Sequence, residues 1–193
     1  DCQNGLYSYS SMINDIVNLQ CQYPSLVRVQ SIGATADRRQ IYDVMIGSPD
    51  ASKHIVIQAG CHAREYMGCL LVMDQAEYFL QNYWSGTYGG RTYEELLSEY
   101  CIHIIPMLNP DGISLSQYGL DGIKNPSIRT RIKSMYIRDK RQGVTGAGLE
   151  EYLRTWKSNA LGVDINRNFN CNLNIPGKNE SDRPGAFGYQ GAS

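Results

Sequence analysis

Long hydrophobic runs are missing from this sequence. No stretch approaches the roughly 18 consecutive apolar residues that a helix needs to cross a bilayer, so a membrane span is not predicted. Residues 1–15, DCQNGLYSYSSMIND, also lack the basic start and the apolar core of a signal peptide. We therefore expect a chain with no membrane span, from which any export signal has been removed or was never present.

An excess of one charge is also missing. Lys and Arg total 18 and Asp and Glu total 19, which gives a formal net charge of −1. Chains that bind phosphate backbones present an excess of basic residues, so nucleic acid is not an expected partner. Apolar residues make up 42% of the chain, a composition that indicates a packed core and excludes general disorder.

Histidine is scarce, and the cysteines show no clustered motif. The six cysteines form no CxxC pair, and Cys61, Cys69 and Cys101 lie in apolar stretches where buried thiols are expected. The disulfide state of the other three cysteines stays open. Of three histidines, His103 is predicted to pack in the core and His54 to be an exposed, inert residue.

The first part of the chain alternates between helical and strand patterns. Strands are predicted over 26–32, 41–46, 54–60 and 102–108, the first two as a hairpin. Helices are predicted over 9–23, 65–83 and 91–99, the first with Ser10 or Ser11 as its N-cap. This alternation indicates the α/β fold class.

The second part of the chain shows little periodicity. The sequence NPDG at 109–112 is typical of a turn, and 113–160 is predicted as long loops with short helical pieces such as 149–156. A last short strand is predicted over 161–165, followed by a polar tail.

A histidine and a glutamate three residues apart form the first candidate site. His62 and Glu65 follow the strand predicted over 54–60, and side chains at i and i+3 face the same way where a helix begins. An imidazole nitrogen with a carboxylate oxygen suits Zn²⁺. The same spacing is also typical of surface ion pairs and of helix caps, so the pair alone leaves these alternatives open.

Three blocks together resemble the zinc carboxypeptidase family typified by carboxypeptidase A. They are GCHAREYMG at 60–68, PMLNPDG at 106–112 and LGVDINRNF at 161–169, and the resemblance spans about residues 7–190. It is closer to bacterial members than to digestive ones. The resemblance implies a mixed central sheet flanked by helices, Zn²⁺ as the cofactor, and hydrolysis of C-terminal residues of peptides.

The resemblance also implies a role for each candidate site residue. His62 and Glu65 would bind the zinc, and Asp164 would accept a hydrogen bond from His62 and so fix its tautomer. The free carboxylate of the peptide substrate would bind to Asn166 and Arg167, and Arg64 would line the substrate groove.

The sequence departs from the family at the oxyanion-stabilising arginine. The best match is Lys157 in the segment WKSN, and a lysine acts as a point charge without the bidentate geometry of a guanidinium. Arg154, or an arginine within 129–141, is an alternative for this catalytic role.

The sequence departs from the family a second time at its downstream ligands. The family's third zinc ligand is a histidine, followed by a tyrosine and by the glutamate that acts as general base. No histidine follows His103 in this chain. We therefore expect residues 1–193 to be the N-terminal part of a single zinc peptidase catalytic domain.

The substrate expected from the resemblance is a peptide with a free C-terminal carboxylate, with bacterial cell-wall stem peptides as one candidate. A secreted or cell-envelope location follows from the same resemblance. Two alternatives stay open: a non-catalytic peptide-binding module of the same fold, and a zinc deacylase that acts on N-acyl amino acids. The sequence does not indicate an oligomeric state.

Overall fold

The computed structural model describes residues 5–169 and 181–191, which divide into two compact units. The first, here called the sheet unit, contains the described residues of Asp1–Ala34, Gln40–Gly60 and Tyr66–Leu108. The second, the helical unit, contains those of Thr35–Arg39, Cys61–Glu65 and Asn109–Ser193. Every candidate site residue lies in the helical unit.

The sheet unit contains a mixed four-stranded sheet, as the resemblance implies. Its strands are β1 (Val27–Ala34), β2 (Gln40–Ile46), β3 (Lys53–Gln58) and β6 (Tyr100–Ile105). The spatial order is β1-β2-β6-β3, with β1/β2 and β2/β6 antiparallel and β3/β6 parallel. The short strands β4 (Thr87–Tyr88) and β5 (Arg91–Thr92) form a separate antiparallel pair. The predicted hairpin and the four predicted strands are thus confirmed, with shifted ends.

Three helices belong to the sheet unit: α1 (Tyr9–Gln22), α2 (Met67–Gln81) and α3 (Tyr93–Glu99). Helix α1 buries Met12, Ile16 and Leu19, which recur at helical spacing. Its N-cap is Ser8, whose hydroxyl accepts a hydrogen bond from the Ser11 N–H at 3.0 Å. The N-cap predicted at Ser10 or Ser11 is therefore wrong, because the helix begins at Tyr9 and Ser8 satisfies one of its free N–H groups.

The helical unit is built from the segment that was predicted as loops. It contains α4 (Pro110–Tyr118), α5 (Pro126–Arg141) and α6 (Leu149–Arg154), with 3₁₀ turns at Gly119–Gly122 and Ile165–Arg167. The helical piece predicted over 149–156 is confirmed by α6, but the prediction of loops elsewhere in 113–160 is wrong. Helix α5 buries few apolar side chains in an otherwise charged sequence, namely Ile128, Ile132 and Met135. These three recur at helical spacing, four and then three residues apart, a pattern that the surrounding charged residues obscured.

Two further predictions in this unit are wrong. The NPDG sequence begins helix α4, with Asn109 as N-cap and Pro110 in the first turn, where its missing N–H costs nothing. The strand predicted over 161–165 does not form. Its backbone instead bonds within loops: the Gly162 N–H donates to the Asn159 carbonyl, and the Asp164 N–H donates to Tyr189.

The core of the helical unit forms around Trp156, which is fully buried. The Tyr152 ring meets the Trp156 indole edge-on, with centroids 5.7 Å apart. The cluster also includes Leu115, Ile123, Ile128, Ile132, Met135 and Leu153. Burial of these side chains fixes the helices that carry the loops described next.

Among the described cysteines, Cys69 and Cys101 are buried as predicted, whereas Cys61 is only half-buried. Cys21, Cys61, Cys69 and Cys101 are all free thiols. Cys2 and Cys171 lie outside the described residues. No helix within 5–169 or 181–191 is long and apolar enough to cross a membrane.

Candidate metal centre

His62 and Glu65 lie in contact, in the segment between β3 and α2 along the chain. Nδ1 of His62 lies 3.1 Å from Oε1 and 3.2 Å from Oε2 of Glu65, so both carboxylate oxygens face the same nitrogen. Helix α2 begins only at Met67. The juxtaposition comes instead from a tight turn, in which the Glu65 N–H donates to the His62 carbonyl at 3.1 Å.

Asp164 lies on the other side of the His62 ring. Its Oδ1 is 3.3 Å from Nε2 of His62, and both atoms are buried without a hydrogen-bond partner among the residues described. The other oxygen, Oδ2, accepts a hydrogen bond from the Gly188 N–H at 3.1 Å. The side chain of Asp164 is 3% exposed and that of Glu65 is 56% exposed. The imidazole therefore lies between a buried and an exposed carboxylate.

Two proton arrangements of His62 fit these distances: a proton on Nδ1 donates to Glu65, whereas a proton on Nε2 leaves Nδ1 free to bind a cation. A neutral imidazole has one N–H, and if that proton is on Nε2 toward Asp164, Nδ1 directs a lone pair at the Glu65 oxygens. Electron-rich atoms at this distance repel each other unless a cation lies between them or the ring is protonated. A nitrogen and a carboxylate oxygen are a zinc-type donor set, so the residues present fit Zn²⁺.

The turn that carries His62 is fixed by Asn109. The Nδ2 group of Asn109 donates to the Cys61 carbonyl at 3.1 Å and to the Ser158 carbonyl at 3.0 Å, while its Oδ1 accepts from the Gly112 N–H. The Ala63 N–H donates to the Lys157 carbonyl at 3.0 Å. Sequence reasoning gave Asn109 no chemical role. It holds the turn that carries the candidate metal ligands, and the prediction of a simple turn at NPDG gave no sign of this.

A buried ionic cluster was also missed from the sequence. The Arg39 guanidinium lies 2.8 Å from Asp37 and 2.8 Å from Asp111, and it also donates to the Gly122 carbonyl. Asp37 accepts hydrogen bonds from the backbone of Lys124 and Asn125, each at 2.8 Å. This cluster joins the turn 35–39 to the start of α4 and the approach to α5. Charged residues in a hairpin turn are usually expected to be exposed, so the sequence gave no signal that Asp37 and Arg39 are buried.

The three candidate substrate-binding residues are accessible. Arg64 and Asn166 are exposed and Arg167 is half-buried. Asn166 and Arg167 lie in the 3₁₀ turn directly after Asp164, and the Arg167 N–H donates to the Asp164 carbonyl at 3.0 Å. Within the described part of the chain their side chains make no hydrogen bond or ion pair, so their donors are available to a ligand.

Lys157 is half-buried and contributes backbone contacts to this region. Its carbonyl accepts from Ala63, between His62 and Arg64, and its own N–H donates to the Ala186 carbonyl at 2.8 Å. The alternative residue, Arg154, is exposed at the end of α6. The structure therefore places Lys157 beside the HxxE segment through its backbone.

The thiol next to His62 is not ionised in this environment. Burial, with Asp164 and Glu65 nearby, raises the pKa of the Cys61 thiol to about 11. Carboxylates on both sides make the region favourable for a cation and unfavourable for a thiolate.

Comparison with known proteins adds independent findings. A sequence model of the zinc carboxypeptidase family matches residues 12–193. The γ-D-glutamyl-L-diamino acid endopeptidase 1 of Lysinibacillus sphaericus is 29% identical over 186 residues, covering 96% of this chain and 43% of that protein. Carboxypeptidase A2 of Rattus norvegicus is 26% identical over 185 residues, covering 96% and 37%.

A solved structure shows the same fold. The carboxypeptidase A of Helicoverpa armigera matches 97% of this chain and 39% of that chain, with a TM-score of 0.60 at 22% identity. The chain thus spans less than half the length of these relatives.

Proposed function

Since the chain belongs to the zinc carboxypeptidase family, we propose that the protein is a zinc-dependent peptidase that removes C-terminal residues from peptides. The observation that carries this proposal is the placement of His62, with Glu65 at one ring nitrogen and Asp164 at the other. His62 Nδ1 and the Glu65 carboxylate are the proposed zinc ligands. When bound, Zn²⁺ polarises a substrate carbonyl and lowers the pKa of water.

The chain's own residues supply orientation and binding in this proposal. Asp164 keeps the proton of His62 on Nε2, so that Nδ1 stays free to act as a ligand. Arg167 and Asn166 bind the terminal carboxylate, the guanidinium through two parallel hydrogen bonds and the amide through one more. Arg64 lines the groove, and Lys157 provides a positive charge for the oxyanion.

Two ligands do not complete a catalytic zinc site, which takes three from the protein. Within residues 5–169 and 181–191, no third side chain of a ligand type joins His62 and Glu65. We propose that the third ligand and the general base come from outside the described residues.

The proposed substrates are peptides of the bacterial cell wall. The name of the Lysinibacillus sphaericus relative specifies γ-D-glutamyl-L-diamino acid bonds, and such a bond is the proposed type of target. A secreted or cell-envelope location is part of the same proposal, because that is where these peptides are found.

The test of this function compares peptides with free and with amidated C-termini, using the zinc-loaded full-length gene product and mass spectrometry to detect release of the last residue. We expect cleavage of the free acid only. Arg167→Ala should raise KM for that substrate by 10-fold or more, because losing a charge-assisted contact to a carboxylate costs about 1.5–3 kcal/mol. Arg28→Ala, an exposed arginine on β1, is the matched control and should behave as wild type.

Other outcomes would contradict the proposal. Equal cleavage of amidated peptides would show that Arg167 does not bind a terminal carboxylate. Cleavage of N-acyl amino acids but not of peptides would favour a deacylase. Peptide binding without turnover in the zinc-loaded full-length gene product would favour a binding module.

A further inference from the structure

A second group of metal-ligand side chains lies in the sheet unit, apart from His62 and Glu65. His54 on β3 pairs with Cys101 on β6 in the parallel ladder, and His103 follows two residues later on β6. Paired residues, and residues two apart on one strand, have side chains on the same face of a sheet. The register therefore places all three side chains together.

The ligand atoms of these three residues converge. One ring nitrogen of each histidine and the Cys101 Sγ all lie within 4.8 Å of one another. Nδ1 of His54 is 3.0 Å from Nε2 of His103. Among the described residues, no other group of three His, Cys, Asp or Glu side chains converges in this way.

A buried carboxylate, that of Asp43, orients the ring of His103. Nδ1 of His103 lies 2.9 Å from Oδ2 of Asp43, which is 5% exposed and also accepts a hydrogen bond from Gln30. Asp43 therefore holds the proton of His103 on Nδ1 and leaves a lone pair on Nε2, directed at His54. Metal-binding histidines very often donate their second ring nitrogen to a carboxylate in this way.

The predictions for these two histidines are accordingly corrected. His103 was predicted to be packed in the core, yet its side chain is 21% exposed and hydrogen-bonded on both nitrogens. His54 is exposed, as predicted, but its partner on the next strand means that it is not inert. Side chains alternate between the two faces of a sheet, and the pairing of β3 with β6 brings these polar groups onto the same face. The sequence alone does not show that β3 and β6 are neighbours.

We propose that His54, Cys101 and His103 form a second metal site, which takes a borderline transition-metal ion such as Zn²⁺. Two imidazoles and a thiolate favour such ions over Mg²⁺ and Ca²⁺, which prefer oxygen ligands. On binding, Cys101 releases its thiol proton to solvent and donates as thiolate. Because His54 is exposed, a fourth position is open to water. The bound ion links β3 to β6.

The test is a titration of the purified chain with Co²⁺, a spectroscopic substitute for zinc. Thiolate coordination gives a charge-transfer absorption band in the near ultraviolet, which the His62 and Glu65 ligands do not produce. We expect this band in the wild-type chain. It should disappear in Cys101→Ser and persist in Cys61→Ser, the control for the thiol beside the other centre.

Two further variants test the site without changing Cys101, which is fully buried and whose replacement can unfold the chain. His54→Gln changes an exposed residue and should weaken Co²⁺ binding by about 10-fold or more. Asp43→Asn should weaken it by about 10–100-fold, as expected for loss of a carboxylate that orients a histidine ligand. Circular dichroism confirms that each variant is folded.

Several results would overturn this site. They are the absence of the band in wild type, its persistence in a folded Cys101→Ser chain, or unchanged affinity in His54→Gln. A band lost only in Cys61→Ser would assign the thiolate to the other centre. None of these results would affect zinc binding by His62 and Glu65, which is tested separately with variants of those residues.

Discussion

The imidazole of His62 shows how the placement of one side chain sets the chemistry of its neighbours. Its two nitrogens face carboxylates of different exposure: Asp164 is almost fully buried and Glu65 is more than half exposed. In the proposed function, the buried partner fixes the tautomer and the exposed partner shares the ligand. A cation is therefore expected on the Glu65 side of the ring.

The role of Asp164 leads to a prediction. Asp164→Asn should weaken zinc binding by about 10–100-fold. The amide has only one oxygen and no charge, so it can keep an oxygen toward the Gly188 N–H or toward His62 Nε2, but not toward both. A competition titration with a chromogenic chelator measures the effect. The control is Asp50→Asn, an exposed carboxylate, and equal affinities for both variants would contradict the role assigned to Asp164.

Asn109 supports a second prediction at this scale. Asn109→Asp keeps the oxygen that caps α4 but removes the donor to the Cys61 and Ser158 carbonyls. We expect the free energy of unfolding to fall by about 1–3 kcal/mol, because buried acceptors lose their partner. Urea unfolding measures this, with exposed Asn18→Asp as the control. A variant as stable as that control would show that Asn109 does not fix the turn.

At the scale of elements, the sheet unit could be predicted from the sequence, whereas in the helical unit only the short helix α6 was. Strand β6, with the sequence YCIHII, is rich in apolar β-branched residues. Helix α5 has a buried face of three apolar side chains and Asp139, within a sequence that is otherwise mostly charged or polar. Its burial depends on tertiary partners such as Tyr152, which a local pattern does not contain.

The contact between α5 and α6 is testable. The Tyr152 hydroxyl donates to Oδ2 of buried Asp139 at 2.6 Å, and burial together with this bond raises the pKa of Tyr152. Tyr152→Phe should lower the free energy of unfolding by about 1–3 kcal/mol, because the carboxylate loses a donor in an apolar setting. The control is Tyr118→Phe on the exposed end of α4. Equal unfolding midpoints for the two variants would contradict the importance of this bond.

At the scale of the whole molecule, three short blocks identified the family, which the match over residues 12–193 confirms. The same blocks also predicted which side chains lie together, because His62 contacts both Glu65 and Asp164. The supporting groups could not be predicted this way. Arg39 and Asp111 lie far apart in the chain, and their buried ion pair follows only from the tertiary fold.

The most direct test of the account is the zinc affinity of the purified chain when His62 or Glu65 is changed. His54→Gln serves as the reference background, so that the second proposed site does not mask the result. In that background, His62→Gln and Glu65→Gln should each weaken zinc binding by about 10-fold or more, while Glu94→Gln, an exposed glutamate on α3, should leave it unchanged. Equal affinity in all of these chains would contradict the central claim that His62 and Glu65 hold the zinc.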